Sequence, residues 1–257
     1  MKTPKNPQHT FFNLEPGFTH MPGLELGATD SAHEVFFAHD AKRTVAVKPY
    51  KQSKKHEEIS PVARAEHEFE MLKRIRDLGF TTLSPVKIDQ TRDGTIAYLL
   101  TDYVPNLRTM SSIVQQRSQV VPSLLKRTAE TLGALHSYGY SHGDAQVKNF
   151  GITPADKGRI AVFDPEKGGS DTIGHVKSDP FQHDLDSLVQ SLAHKSYGGP
   201  NTEQAAETVL RDVIWPYEAV AAQGLGLEKA QEIGSRALNT HMDKHSELRA
   251  PKSPIYR

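Results

Sequence analysis

The sequence predicts an α+β chain, with a small antiparallel sheet in its N-terminal part and a mainly helical remainder. Three observations predict it. Short runs rich in β-branched and aromatic residues, separated by tight polar turns, occupy residues 24–50. Apolar stripes at helical spacing begin at Pro61, Pro122 and Asp184. Two more short strands, at 150–152 and 159–163, follow a polar loop that carries His142, Asp144 and Asn149.

The elements follow in order. Residues 1–22 hold Pro4, Pro7, Pro16 and Pro22 and read as an irregular arm, part of which packs through Phe11, Phe12, Leu14 and Phe18. Leu24–Leu26, Glu34–Ala38 and Thr44–Tyr50 are three strands of a meander, joined by turns at 27–33 and 39–43. The charged stretch 51–60 is a solvated loop. Pro61 opens a helix to Leu78, with Val62, Phe69, Leu72, Ile75 and Leu78 on one stripe and Gly79 as its stop. Leu83–Ile88 and Thr95–Leu100 pair across Arg92-Asp93-Gly94. Helices are expected at 110–119, 122–135, 184–192, 203–223 and 226–247, with a polar loop over 167–182 and a loose tail from 249.

Composition narrows the classes of function. The chain has 257 residues, 37% of them hydrophobic and 24% charged, enough to bury a sizeable core. Formal net charge is zero, so bulk electrostatics do not point to nucleic acid. There is no cysteine, which removes disulfides, thiolate catalysis and Cys-ligated zinc. Residues 1–12 lack the apolar core of a signal peptide, and no apolar run is long enough to span a bilayer. A cytoplasmic protein is the expectation. His241 and His245 stand at i, i+4, but no third ligand accompanies them, so the sequence does not support a metal site there.

The chemistry-bearing stretch is His142-Gly143-Asp144-Ala145-Gln146-Val147-Lys148-Asn149, followed by Val162-Phe163-Asp164-Pro165-Glu166. An Asp, an Asn five residues on, and a second Asp at the end of the next strand is the spacing of a phosphoryl-transfer site. Such a site needs an oriented hydroxyl and cations that neutralise the β- and γ-phosphates. Asp144 would orient that hydroxyl or accept its proton. Asn149 and Asp164 would offer hard oxygens to Mg²⁺, with Glu166 either a further ligand or a surface charge. His142 would brace the loop. Either Asp184 or Asp186 would turn inward to hold the loop's backbone. Each residue alone is equally at home in a polar turn; the set in this order is what carries the reading.

Taken together, these residues resemble the protein-kinase-like superfamily over about residues 24–192. Val45-Ala46-Val47-Lys48 is similar to its V-A-I-K strand. The resemblance implies a two-lobed fold: N-lobe 23–102, C-lobe 103–248, arm 1–22 and tail 249–257. It implies Lys48 on the nucleotide phosphates, paired with Glu68 or, in reserve, Glu66. It implies a hinge at Asp102-Tyr103-Val104, where Asp102 and Val104 supply backbone groups to adenine. The turn at 27–33 has only Gly27 of a Gly-rich loop; Ser31 or Thr29 hydroxyls and backbone N–H groups would hold phosphate there, or the turn is a plain hairpin connection.

His142-Gly143-Asp144 resembles the small-molecule branch, including aminoglycoside and choline phosphotransferases and KEOPS-complex kinases. Phe163–Gly168 with Asp184–Leu192 is similar to lipopolysaccharide (Kdo-type) kinases. The departures are specific. Asp164-Pro165-Glu166 stands where protein kinases have D-F-G. Gln146 stands where they place a Lys, with Lys148 either its substitute or solvent-facing. The resemblance implies an ATP- and Mg²⁺-dependent phosphotransferase with a hydroxyl-bearing acceptor, a small molecule or sugar. The alternatives are an atypical Ser/Thr protein kinase and a nucleotide-binding pseudokinase scaffold.

Overall fold

The structure is a computed structural model that describes residues 19–20, 35–39, 42–52, 59–91, 93–116, 119–153, 158–165, 179–195, 197 and 202–249. The expected strand 24–26, the turn with Thr29 and Ser31, Glu166 and the tail beyond 249 lie outside them. Contacts divide the chain into two units, Met1–Phe69 with Ser84–Tyr103, and Glu70–Leu83 with Val104–Arg257. The structure has the expected α+β character, with an antiparallel sheet in the N-terminal part and helices through most of the remainder.

The first unit carries a five-stranded antiparallel sheet in the order β1-β2-β3-β6-β5, made of β1 (Thr19–His20), β2 (Phe36–His39), β3 (Thr44–Lys51), β5 (Pro85–Gln90) and β6 (Ile96–Asp102). β3 is central, so Val45 and Val47 are buried while Ala46 and Lys48 are half-buried. Ala38, Val45, Val47 and Leu100 form the small core under it. β1 corrects the expectation of an irregular arm. Thr19 and His20 pair with His39 and Ala38, a placement set by the partner's free backbone edge rather than by any pattern of their own.

α1 (Pro61–Asp77) begins with a proline, which has no N–H to leave unpaired, and Ser60 Oγ accepts the Ala63 amide at 3.1 Å. It ends at Gly79, whose φ of 88° lets the Gly79 and Phe80 amides turn back onto the carbonyls of Arg76 and Ile75.

The second unit is built on α3 (Val121–Ser137), α4 (Pro180–His194), α6 (Trp215–Leu225) and α7 (Leu227–Arg249). Its core includes Leu125, Leu132, Leu135, Leu185, Leu188, Leu192 and Tyr217, all under 2% exposed. α3 and α6 approach closely because both carry glycines at the crossing: a Cβ on Gly224 would lie 2.0 Å from the Ser137 carbonyl oxygen. A small sheet in the order β4-β9-β8-β7 joins β4 (Thr81–Thr82), β7 (Arg108–Thr109), β8 (Phe150–Ile152) and β9 (Ala161–Val162). α2 (Met110–Gln115) follows β7.

Three expectations are corrected here. The loop expected to run through 182 ends at Asp179, which caps α4 by accepting the Phe181 amide at 3.0 Å. The single helix expected at 203–223 is α5 (Thr202–Val209), a π segment at Leu210–Ile214, and then α6. Pro216 explains the break: it has no N–H for the Asp212 carbonyl, and the Trp215 amide donates five residues back to Leu210 instead. Thr81–Thr82, just before the expected strand at 83–88, forms a separate strand that pairs parallel with β9. No helix among the described residues is long and apolar enough to cross a membrane.

Candidate active site

In the first unit, Lys48 on β3 reaches Glu68 on α1, with Nζ 2.6 Å from Oε2. Glu68 is 3% exposed, whereas Glu66 faces solvent, so of the two acids considered Glu68 is the partner. A buried carboxylate requires a charged or hydrogen-bonding partner, and at least two meet it among the described residues. The second is the Tyr50 hydroxyl, which also donates to Oε2. Tyr50 was not singled out from the sequence, although strand alternation puts it on the same face as Lys48.

Asp102 closes β6. Its amide is taken by the Ser84 carbonyl at 2.9 Å, and its half-exposed carboxylate lies 3.8 Å from Arg43. The Asp102 N–H is thereby engaged within the first unit. Val104 lies two residues past the strand, half-buried.

In the second unit, the loop from Ser141 to Asn149 is held from behind by Asp184. Its Oδ2 accepts the His142 amide at 2.5 Å and its Oδ1 accepts the Gly143 amide at 2.7 Å. Two successive N–H groups can face one carboxylate because Gly143 sits at φ 81°, in the left-handed region open to glycine. Asp184 is fully buried and takes a third donor, His136 Nε2, at 3.1 Å. His136 Nδ1 in turn accepts from the Tyr217 hydroxyl at 2.8 Å. Burial, reinforced by the charge of Asp184, pushes the Tyr217 phenol well above its usual range, so it stays a donor. Asp186, the other candidate, is turned elsewhere and accepts from Gln182 at 2.9 Å.

His142 braces the loop by its ring. Nε2–H donates to the Phe163 carbonyl at 3.1 Å, which leaves Nδ1 as acceptor for the Asp144 amide at 3.3 Å. That ring ties the loop to the residue before Asp164. The Asn149 carbonyl ties it again, by accepting the Phe163 amide at 3.1 Å, while Phe150 pairs with Val162 across β8 and β9. Gly151 is required beside them, because a Cβ there would meet the Arg108 carbonyl at 2.7 Å.

The Asp144 carboxylate is oriented by two neutral amides. Gln146 Nε2 donates to Oδ1 at 2.8 Å, and Asn149 Nδ2 donates to Oδ2 at 3.1 Å and to the Asp144 carbonyl at 2.8 Å. With its nitrogen so engaged, the side-chain oxygen is the group Asn149 has left to offer a cation. Along the loop, Ala145 and Val147 are buried while Asp144, Gln146 and Lys148 alternate with them on the more open side. No hydrogen bond or ion pair holds Lys148 among the described residues, and it sits on the short 3₁₀ turn Val147–Asn149. Asp164 adopts φ 62°, a left-handed conformation that non-glycine residues rarely hold without cause.

Gln146, Tyr217 and Tyr50 are the residues that reading the sequence missed as parts of the site. Gln146 was marked only as a departure from a lysine. Tyr217 had no local signal at all, since it comes from a helix 81 residues beyond its partner.

Residues 44–211 match the model of the Lipopolysaccharide kinase (Kdo/WaaP) family, which covers more than half of the chain. No curated protein matches the chain. Among solved structures, the chain is similar to WaaP in complex with acyl carrier protein, at 17% identity and a TM-score of 0.48, over 80% of this chain and 85% of that one.

Proposed function

Because the chain belongs to the lipopolysaccharide kinase (Kdo/WaaP) family, it is a kinase-type phosphotransferase, and we propose that it transfers the γ-phosphate of magnesium-bound ATP to a hydroxyl of a sugar or other small molecule. The observation that carries this reading is the Asp144 carboxylate, aimed by Gln146 and Asn149 on a loop clamped by Asp184. An oriented carboxylate with a spare lone pair on each oxygen is what an attacking hydroxyl needs. The acceptor hydroxyl hands its proton to Asp144 as its oxygen bonds to the γ-phosphorus, and ADP leaves.

The Asn149 oxygen and the Asp164 carboxylate suit magnesium, a hard cation that keeps several sites for phosphate and water. When bound, the metal neutralises charge on the β- and γ-phosphates. Lys48, paired with Glu68, neutralises the phosphates that are not transferred. Lys148 adds a positive charge on the open side of the loop. The backbone near Val104 supports adenine. Glu166 and Ser31 are reserve contributors to metal and phosphate.

The test is Mg-ATP turnover with a panel of sugar, amino-alcohol and peptide acceptors, on wild type, Asp144→Asn and Lys48→Met. Asp144→Asn should bind nucleotide as wild type does and lose turnover by on the order of 10³-fold. Lys48→Met should lose nucleotide affinity as well. Nucleotide binding without turnover on any acceptor would overturn the reading in favour of a scaffold, and turnover confined to peptides would move the acceptor to protein.

A further inference from the structure

Glu68 is a buried carboxylate with two hydrogen-bond donors on the same oxygen, and the second donor, Tyr50, is itself fully buried. The Tyr50 ring also carries positive charge on its face. Lys48 Nζ lies 5.0 Å from the ring centroid and Arg64 Cζ lies 5.2 Å from it, with Arg64 anchored to the Lys51 carbonyl at 3.4 Å. The geometry points to Tyr50 as a positioning residue that sets how tightly Glu68 holds Lys48, and through that the affinity of Lys48 for phosphate.

The argument is electrostatic. An ammonium held by a carboxylate alone is largely neutralised by it, and that leaves less attraction for a phosphate. A hydroxyl donating to the same oxygen takes up part of its charge. The Lys48 ammonium is then held in place but not cancelled. The ring supplies compensation from a second direction, because its face attracts the same cation without donating a counter-charge that phosphate must displace. A phenylalanine in place of Tyr50 would keep the ring and lose the hydroxyl's share of the charge on Glu68. The part of this inference that concerns phosphate rests on the kinase reading; the hold on Lys48 does not.

The experiment separates the two. Acylation of Lys48 in the apoprotein is followed across pH, resolved by peptide mass spectrometry, for wild type and Tyr50→Phe, with thermal melting on both. Mg-ATP affinity is measured alongside. Tyr50→Phe should stay folded with a lowered melting temperature, move the Lys48 labelling profile to higher pH, and weaken Mg-ATP binding by about threefold to tenfold. A folded Tyr50→Phe with an unchanged labelling profile would overturn the proposal. If the profile moves but wild type binds no Mg-ATP, the hold on Lys48 stands and the kinase reading of it falls. If Tyr50→Phe does not fold, 3-fluorotyrosine at position 50 replaces it. As a stronger donor it should move the profile to lower pH, and an unmoved profile would again overturn the proposal.

Discussion

Oδ2 of Asp184 lies 2.5 Å from the amide nitrogen of His142, a residue 42 positions earlier in the chain. The contact joins a helix of the second unit to the loop that carries Asp144. It also sets the loop's geometry, since the same carboxylate takes the Gly143 amide.

Asp184→Asn should therefore act on the loop before it acts on chemistry. An amide can accept on one side only, so one buried N–H of His142 or Gly143 is left facing an NH₂ group. The expected cost is about 2–3 kcal/mol of stability, together with a large loss of turnover. Asp186→Asn, on the same helix, should change neither by much. Urea denaturation and turnover of the two variants provide the comparison.

Asp164 should separate backbone from side chain. Asparagine tolerates a left-handed φ and alanine does so less readily. Asp164→Asn should hold its melting temperature, whereas Asp164→Ala should lose about 1 kcal/mol more. Both should lose Mg²⁺-dependent turnover. An Asp164→Asn variant that keeps full Mg²⁺-dependent activity would remove Asp164 from the metal site.

Two glycines at the end of α6 should behave oppositely. Gly224→Ala places its Cβ 2.0 Å from the Ser137 carbonyl oxygen, where only backbone movement can relieve it. It should cost roughly 3 kcal/mol or more and disturb the run from α3 into the catalytic loop. Gly226 has φ 84° and nothing within 4 Å of its missing Cβ. Gly226→Ala should cost only about 1 kcal/mol, from backbone strain.

His241 should make stability pH-dependent. Burial, and the proximity of His245, hold its imidazole below the usual value of 6.5. Its Nδ1 donates to the Val189 carbonyl of α4 at 3.0 Å, while Nε2 has no partner among the described residues. His245 is likewise buried with an unpartnered Nε2, and its Nδ1 lies 3.3 Å from the Thr202 hydroxyl. The folded state thus binds fewer protons here than the unfolded chain. The contribution is fully present above pH 6.5 and is lost as pH falls through the depressed folded value. Wild type should lose melting temperature on acidification through this range, and His241→Asn should lose less. Parallel pH profiles would remove His241 as the cause.

Much of this was legible beforehand. The strand at Thr44–Lys51, the helix from Pro61, the loop with Asp144 and Asn149 and the helix with Leu185 and Leu188 announce themselves by alternation, helical spacing or motif order. The start of α4 was misplaced because a Gly- and polar-rich run hid the Asp179-Pro180 cap. The π segment before Trp215 was missed because apolar spacing does not register where a proline removes one N–H from the helix.

By itself, then, the sequence determined the periodic elements and the order of the chemical groups, because spacing of 2 or 3.6 residues and short motifs are properties of neighbouring positions. Only the tertiary structure decided that Asp184 rather than Asp186 clamps the loop and that Tyr50 and Tyr217 join the site, while for Lys48 it agrees with Glu68, the partner preferred over Glu66 from spacing. These choices depend on which side chains the folded path shuts away from water. There, a buried carboxylate or imidazole must find its partner, however distant in sequence that partner is.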